Sequence, residues 1–404
     1  MNFSKSQLII LGIGGFIVLS FILIFVFGLG KRTNIQKADI TFWGIERDEY
    51  FADAIGSFEE KYPGVTVKYR EIAESGYEKE LVDSFAAGNG PDVFMFGSRW
   101  LPRHANKITP ISEEMMTVGK FNDFFPEVAA QDFVMSGKIY SLPLYIDTLV
   151  LYYNRSIFDK LAVPLPPKTW DEFKGLVLIK KASASIGGYY PLVARSADII
   201  DAMLMQAGTD LNLQNKTFVR LATDGGVKAL TFYTQFSPKE ETLTGFAGER
   251  TAMIFGYHSD KALIKAKAPF LDLGVASLPQ FYSASPVVPA RYYGLSVSAK
   301  SSHQDLAWEL ATHLTTDKAV AESLVAKGTH PPALRDLIQK YSDSADLGVF
   351  AKQALIARSW FQPDDREVVT IFNDMIKSAI SSRKYMEALR AAEGKINNLI
   401  PARQ

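Results

Sequence analysis

DITFWGIERDEYFADAIGSFEEKYPGVTVKY, residues 39–69, reads as strand, helix, strand. Asp39 to Trp43 alternates apolar and polar residues, and Gly44 closes the run. Phe51, Ile55, Phe58 and Tyr62 recur at helical spacing and so share one face, and Pro63-Gly64 stops that run before a second strand, Val65 to Tyr69. The alternation continues. Tyr77 to Ala87 is an amphipathic helix with Leu81, Val82 and Phe85 inward, ended by Gly88-Asn89-Gly90-Pro91. Asp92 to Phe96 is then an apolar run of the kind a parallel sheet buries on both faces. Alternating strands and helices place the chain in the α/β class.

Further on, Thr169 and Glu172 are spaced as a capping box at a helix start. Thr251 to Phe255 and Tyr293 to Ser298 read as strands, and helical patterns run from Asp305, from Asp346 and from Glu367 to the end. No solenoid repeat is present. A chain of 404 residues exceeds one ordinary core and implies two lobes, and its 47% hydrophobic and 22% charged residues are those of a folded body. Lys plus Arg equals Asp plus Glu at 44 each, so no net field draws the protein to nucleic acid.

Composition also narrows the chemistry. With no cysteine there is no disulfide, thiolate metal site, thiol nucleophile or lipid carried on an N-terminal cysteine. The five histidines show no i, i+4 ligand spacing, and no Walker loop, Gly-x-Ser-x-Gly elbow or His-Glu-x-x-His occurs. Carboxylate pairs such as Asp48-Glu49 and Asp364-Asp365 read as solvated faces. Neither an enzyme nor a cofactor or metal site is expected.

Residues 8–30, LIILGIGGFIVLSFILIFVFGLG, carry no charge and as a helix would span roughly 34 Å, enough to cross a bilayer. The run is longer than a cleaved leader's apolar stretch, so it is read as a retained transmembrane anchor between a tail at 1–7 and a linker at 31–38. Lys5 faces Lys31, Arg32 and Lys37 across it, and charge alone would keep the body on the cytoplasmic side.

Several segments, in order, resemble the family 1 extracellular solute-binding proteins. They are Ile40 to Trp43, Phe85 to Val93, Gly137 to Asn154, Pro167 to Phe173, Gly248 to Met253 and Tyr293 to Ser298. The resemblance implies a periplasmic-binding-protein-like fold of two α/β lobes, residues 39–146 plus 295–345 and residues 150–290 plus 349–401, with a hinge and a cleft between them. It further implies a protein on the extracytoplasmic side of the cell membrane, against the charge pattern. Its partners would be a small polar ligand, most simply a carbohydrate, and the permease subunits of an ABC importer. A membrane-anchored glycoside hydrolase and a ligand sensor for a signalling receptor are the alternatives. A phosphate-bearing ligand would need several cleft cations, and only Arg99 and Arg195 offer themselves.

A sugar presents an apolar ring face and a rim of hydroxyls, so its site needs aromatic plates and hydrogen-bonding side chains. Ligands of open α/β sheets sit beyond the carboxyl ends of strands. That rule selects Trp43 and Glu46 after the first strand, and Ser98, Arg99 and Trp100 after the strand ending at Gly97. Trp43 also fits a core position, and Ser98 to Trp100 also fit a surface turn. Tyr257 follows Thr251 to Phe255 in the same manner, with His258 beside it. The resemblance makes Asp147 an acidic cleft residue, with Tyr145 on the same side of its run, although a hinge hydrogen bond would serve Asp147 equally. Tyr189, with Tyr190, and Trp360 are the second-lobe candidates, Trp360 fitting a core equally well.

Overall fold

A computed structural model describes residues 37–181, 196–209, 211, 218–235, 242–249, 251–281, 286–328 and 330–400. The anchor at 8–30, Tyr189, Tyr190 and Arg195 lie outside the described residues. Among the described residues no helix is long and apolar enough to cross a membrane.

The chain opens with β1 (Ala38–Gly44), α1 (Asp48–Lys61), β2 (Val65–Glu71), α2 (Glu74–Ala87) and β3 (Val93–Gly97). β1 pairs in parallel with both β2 and β3, as two successive crossover helices require. Alternation in β1 buries Ile40 and Phe42 and leaves Asp39 exposed, whereas all of β3 is buried. Gly76, at φ +108°, breaks the start of α2, so the regular helix begins at Tyr77. Short helices α3 (Leu101–His104) and α4 (Glu127–Phe133), a small hairpin of β4 (Val134–Met135) with β5 (Lys138–Ile139), and β6 (Leu142–Pro143) follow.

The chain then leaves this sheet for β7 (Val150–Asn154), α5 (Trp170–Lys181), α6 (Ser196–Gln206), α7 (Asp224–Thr234), β8 (Met253–Gly256), α8 (His258–Lys267), β9 (Leu273–Ser277) and β10 (Val288–Pro289). β8, β7 and β9 form a second, antiparallel sheet. The expected capping box opens α5, with the Glu172 amide donating to Thr169 Oγ1 at 3.1 Å and the Thr169 amide to Glu172 Oε2 at 3.2 Å.

β11 (Tyr293–Val297) returns to the first sheet and completes the order β2-β1-β3-β11-β6, antiparallel to both its neighbours. α9 (Gln304–Thr316) packs on β11 and β3, and α10 (Lys318–Gly328) packs on α1. After α11 (Gly348–Ala354), β12 (Ala357–Arg358) pairs with β10, and α12 (Asp365–Ser382) and α13 (Tyr385–Leu399) pack on α7. Two sequence expectations change here. The helix expected from Asp346 is only the short α11, and the pattern from Glu367 is two helices, broken where Arg383 takes φ 58°.

Candidate functional site

Two cavities, of about 1110 Å³ and 650 Å³, open between the elements of the two sheets. The carboxyl ends of β1, β2 and β3 supply Glu46, Glu74 and Ser98 to Trp100 on one side. β11 runs the other way, with Tyr293 opposite Gly97, so its amino end reaches the same edge and adds Arg291 and Tyr293. From the other sheet, the carboxyl end of β8 delivers Tyr257 and His258 to the larger cavity, while α6 and α12 deliver Asp198 and Asp365 to the smaller one. Both cavities are walled from both sides.

In the larger cavity the ring of Tyr145 lies flat on His330, 4.1 Å between centroids at 8°. Glu46 joins the pair: its Oε1 accepts from the Tyr145 hydroxyl at 3.3 Å and stands 3.1 Å from His330 Nε2. Asp147, 2% exposed, accepts from the amides of His258 at 2.8 Å and Ser259 at 3.0 Å, while its own carbonyl accepts from the Arg291 amide. Its carboxylate thus tethers the start of α8 to the crossover between β6 and β7. Burial pushes the Asp147 carboxyl up to about 6 against the pull of those two amides. His258 is buried edge-on against Phe350, and burial, with Lys261 nearby, lowers it to about 3, so it is neutral at ordinary pH.

The smaller cavity rests on a buried polar cluster. Arg99 places Nη1 3.3 Å from Asp198 and Nη2 3.6 Å from Asp201, so a loop of the first sheet is paired with α6. Burial opposes the Arg99 charge, but Asp198 and Asp201 hold it protonated beyond its ordinary range. Burial also raises Asp201 to about 6 and Asp132 to about 7, despite hydrogen bonds to Asp201 from Trp360 and to Asp132 from Tyr292. Next to it, Arg103 pairs with Glu78 of α2 and with Asp365 of α12 at 2.5 Å, a second tie across the gap. Burial works to raise Glu78, but His104 and Arg103 bring it down to about 2.

Glu46, Ser98, Arg99, Trp100, Tyr145, Asp147 and Tyr257 are thus brought together along the cavities. Their aromatic rings are not open plates. Trp100 is 9% exposed, lying over Gly97 and 6.0 Å from Tyr77 in a stacked arrangement, and Tyr257 is 1% exposed. Trp43 and Trp360 line neither cavity. Trp43 points to the face of β1 where the Arg70 guanidinium covers it at 4.6 Å, because odd positions of that strand face away from the inner side. Trp360 is buried and donates its indole N–H to Asp201 Oδ1 at 2.6 Å. Sequence reasoning missed Glu74, Asp198, Arg291, Tyr293 and His330. Glu74 follows β2 and was within reach of the strand-end rule, whereas Arg291 precedes and Tyr293 opens an antiparallel strand, where that rule looks at the wrong end.

The raised carboxyls give a pH test. Native Asp132 keeps its proton up to about pH 7 while the unfolded chain gives it up near 3.8, so between these values stability rises as pH falls. Asp132→Asn keeps an acceptor for the Tyr292 hydroxyl and cannot ionise. It is expected to be more stable than the wild type by about 2 kcal/mol or more at pH 8, with most of that gap closed by pH 5. Denaturant titration at the two pH values measures it, and a gap that does not depend on pH rules the assignment out.

Among the described residues no cluster of His, Asp and Glu has the makings of a metal site. Residues 44–321 match the family model for bacterial extracellular solute-binding proteins. The maltotriose-binding protein of Pyrococcus abyssi is 22% identical over 82% of this chain and 72% of its own length. The structure of an ABC transporter solute-binding protein from Thermotoga lettingae, bound to α-D-tagatose, matches with a TM-score of 0.73 at 25% identity, covering 90% of this chain and 100% of that one. The sugar-binding protein of Xanthomonas citri matches with a TM-score of 0.78 at 20% identity over 90% of this chain and 97% of that one. These similar proteins are binding proteins, and the fold they share with this chain is periplasmic-binding-protein-like.

Proposed function

Because this chain belongs to the bacterial extracellular solute-binding proteins, we propose that it captures a neutral sugar or oligosaccharide in the cleft between its sheets and delivers it to an ABC importer without catalysis. The observation that carries this reading is the make-up of the cleft wall. Tyrosines 145 and 293 stand among carboxylates (Glu46, Glu74) and cations (Lys261, Arg291), so acceptors and donors are interspersed and neither charge sign dominates. Such a wall suits the many hydroxyls of an uncharged ligand, which both donate and accept. Lys261 is paired with Asp346 and Lys327 with Asp53, and the other cations of the wall, Arg47, Lys265 and Arg291, stand among Glu46, Glu49, Glu74 and Asp260, which weakens the case for an anion.

In this reading the lobes are residues 39–146 plus 295–345 and residues 150–290 plus 349–401. The crossovers between β6 and β7 and between β10 and β11 then act as hinge strands, and ligand shifts the population toward a shut form. The run at 8–30 anchors the protein as a single membrane-spanning helix, with the lobes on the extracytoplasmic side and the permease subunits of the importer as its partners. The test is a melting-shift screen of neutral oligosaccharides, polyols and phosphoesters. A matching sugar at a hundred times its Kd stabilises the protein by about 2.7 kcal/mol and is recovered intact. Cleavage of the sugar, or a response to phosphoesters alone, refutes the proposal.

A further inference from the structure

The two cavities meet at Glu74, Arg291 and Tyr293, which line both. At this waist the Tyr293 hydroxyl donates to Glu74 Oε1 at 3.3 Å, and Arg291 Nη2 stands 3.9 Å from the same oxygen. The Tyr293 ring is fixed edge-on against Trp100, 5.8 Å between centroids. The backbones of the other two are also fixed: Arg291 donates its amide to the Asp147 carbonyl, and Glu74 sits just before the turn at Gly76. Their charged ends are not. The side chains of Arg291 and Glu74 are 49% and 58% exposed, so their mutual attraction is screened and hydroxyls can displace it.

A carboxylate that only accepts and a guanidinium that only donates, side by side, match two neighbouring ring hydroxyls, each of which does both. The larger chamber alone, at about 1110 Å³, already exceeds the ~300–1,000 Å³ usual for a small-molecule site. One pyranose ring cannot occupy both chambers and the waist together. Resting on the sugar reading above, we infer that Glu74 and Arg291 are specificity-determining residues that grip the inner ring of a linear oligosaccharide of three or more rings, its ends lying in the two chambers.

Calorimetric titration of the full-length protein with glucose, maltose and maltotriose, and with the one- to three-ring galactose and N-acetylglucosamine series, tests this. In the series that binds, the three-ring sugar should bind at least about tenfold tighter than the monosaccharide. Glu74→Gln and Arg291→Gln should each weaken the three-ring sugar by about tenfold or more, the worth of one charged hydrogen bond, with a smaller loss for the monosaccharide. Both side chains are half exposed, so the unliganded melting temperature should not move, which a merely structural role would not allow. A monosaccharide that binds as tightly as its trimer, or trimer affinities within about twofold of wild type in both variants, overturns this inference and leaves the sugar reading standing. If no member of any series binds, the sugar reading fails and takes this inference with it.

Discussion

Arg99→Met should lower the stability of the protein by about 3–5 kcal/mol at pH 8, the usual consequence of removing one partner from a buried ion pair. The side chains of Arg99, Asp198 and Asp201 are 13%, 11% and 3% exposed, so water screens the two carboxylates poorly once their cation is gone. The loss should shrink at pH 5.5. Asp201 and Asp132 already take up protons near 6 and 7 with Arg99 present, and without it they do so at higher pH still. Adding Asp198→Asn and Asp201→Asn to the methionine variant should restore part of the loss at pH 8, because it is the unpaired charges that destabilise. Urea titrations of the three proteins at both pH values decide the matter. A loss below about 1 kcal/mol at pH 8, or one equal at the two pH values, would mean that Arg99 does not balance these acids.

Trp170→Ala should have an effect of similar size by a different route, about 3–5 kcal/mol from the cavity it leaves. Trp170 is fully buried, and its ring is surrounded by Phe173, Phe232, Phe255 and Phe281 at 5.5 to 6.2 Å between centroids. Its indole N–H donates to Gln206 Oε1 at 2.7 Å, and the Gln206 amide group in turn holds the carbonyls of Pro279 and Val287. Gln206 ends α6, whose first turns carry Asp198 and Asp201, so slack at Trp170 should reach the partner helix of Arg99. Trp170→Phe separates the two contributions. It keeps most of the aromatic packing and should lose only about 1–3 kcal/mol, chiefly from the shorter of the two hydrogen bonds at Gln206 Oε1, which keeps only the Phe281 amide at 3.3 Å. Equal losses in the alanine and phenylalanine variants would show that the hydrogen bond, not the packing, holds this core.

The parts of the fold that were legible in the sequence are those set by near neighbours. The β1-α1-β2 unit, the start of α2 at Tyr77 and the Thr169–Glu172 box each depend on residues within a turn or two. The break at Arg383 left no such trace, since a non-glycine residue at positive φ is held by its surroundings and not by its own preference. The same divide runs through the site. Glu46, Arg99 and Trp100 follow parallel strands and were found by that geometry, while Arg291 and Tyr293 needed the direction of β11, a fact of tertiary pairing. Asp198 lines the smaller cavity beside Arg99, a pairing across 99 positions that no local pattern could announce. Trp43, near the end of β1, lines neither cavity, because a strand's end tells where a residue sits but its parity tells which way it points.

β11 joins the first sheet from far along the chain. It seats between β3 and β6, so the first sheet is missing an interior strand until residue 297 has been joined to the chain. A nascent polypeptide ending before Tyr293 carries β1 to β3 with one side unzipped, and no cut before that point releases a self-sufficient half. The closing step must bring together positions such as Phe96 and Gly294, so a wide loop is drawn shut late and folding of the intact chain should be slow in proportion.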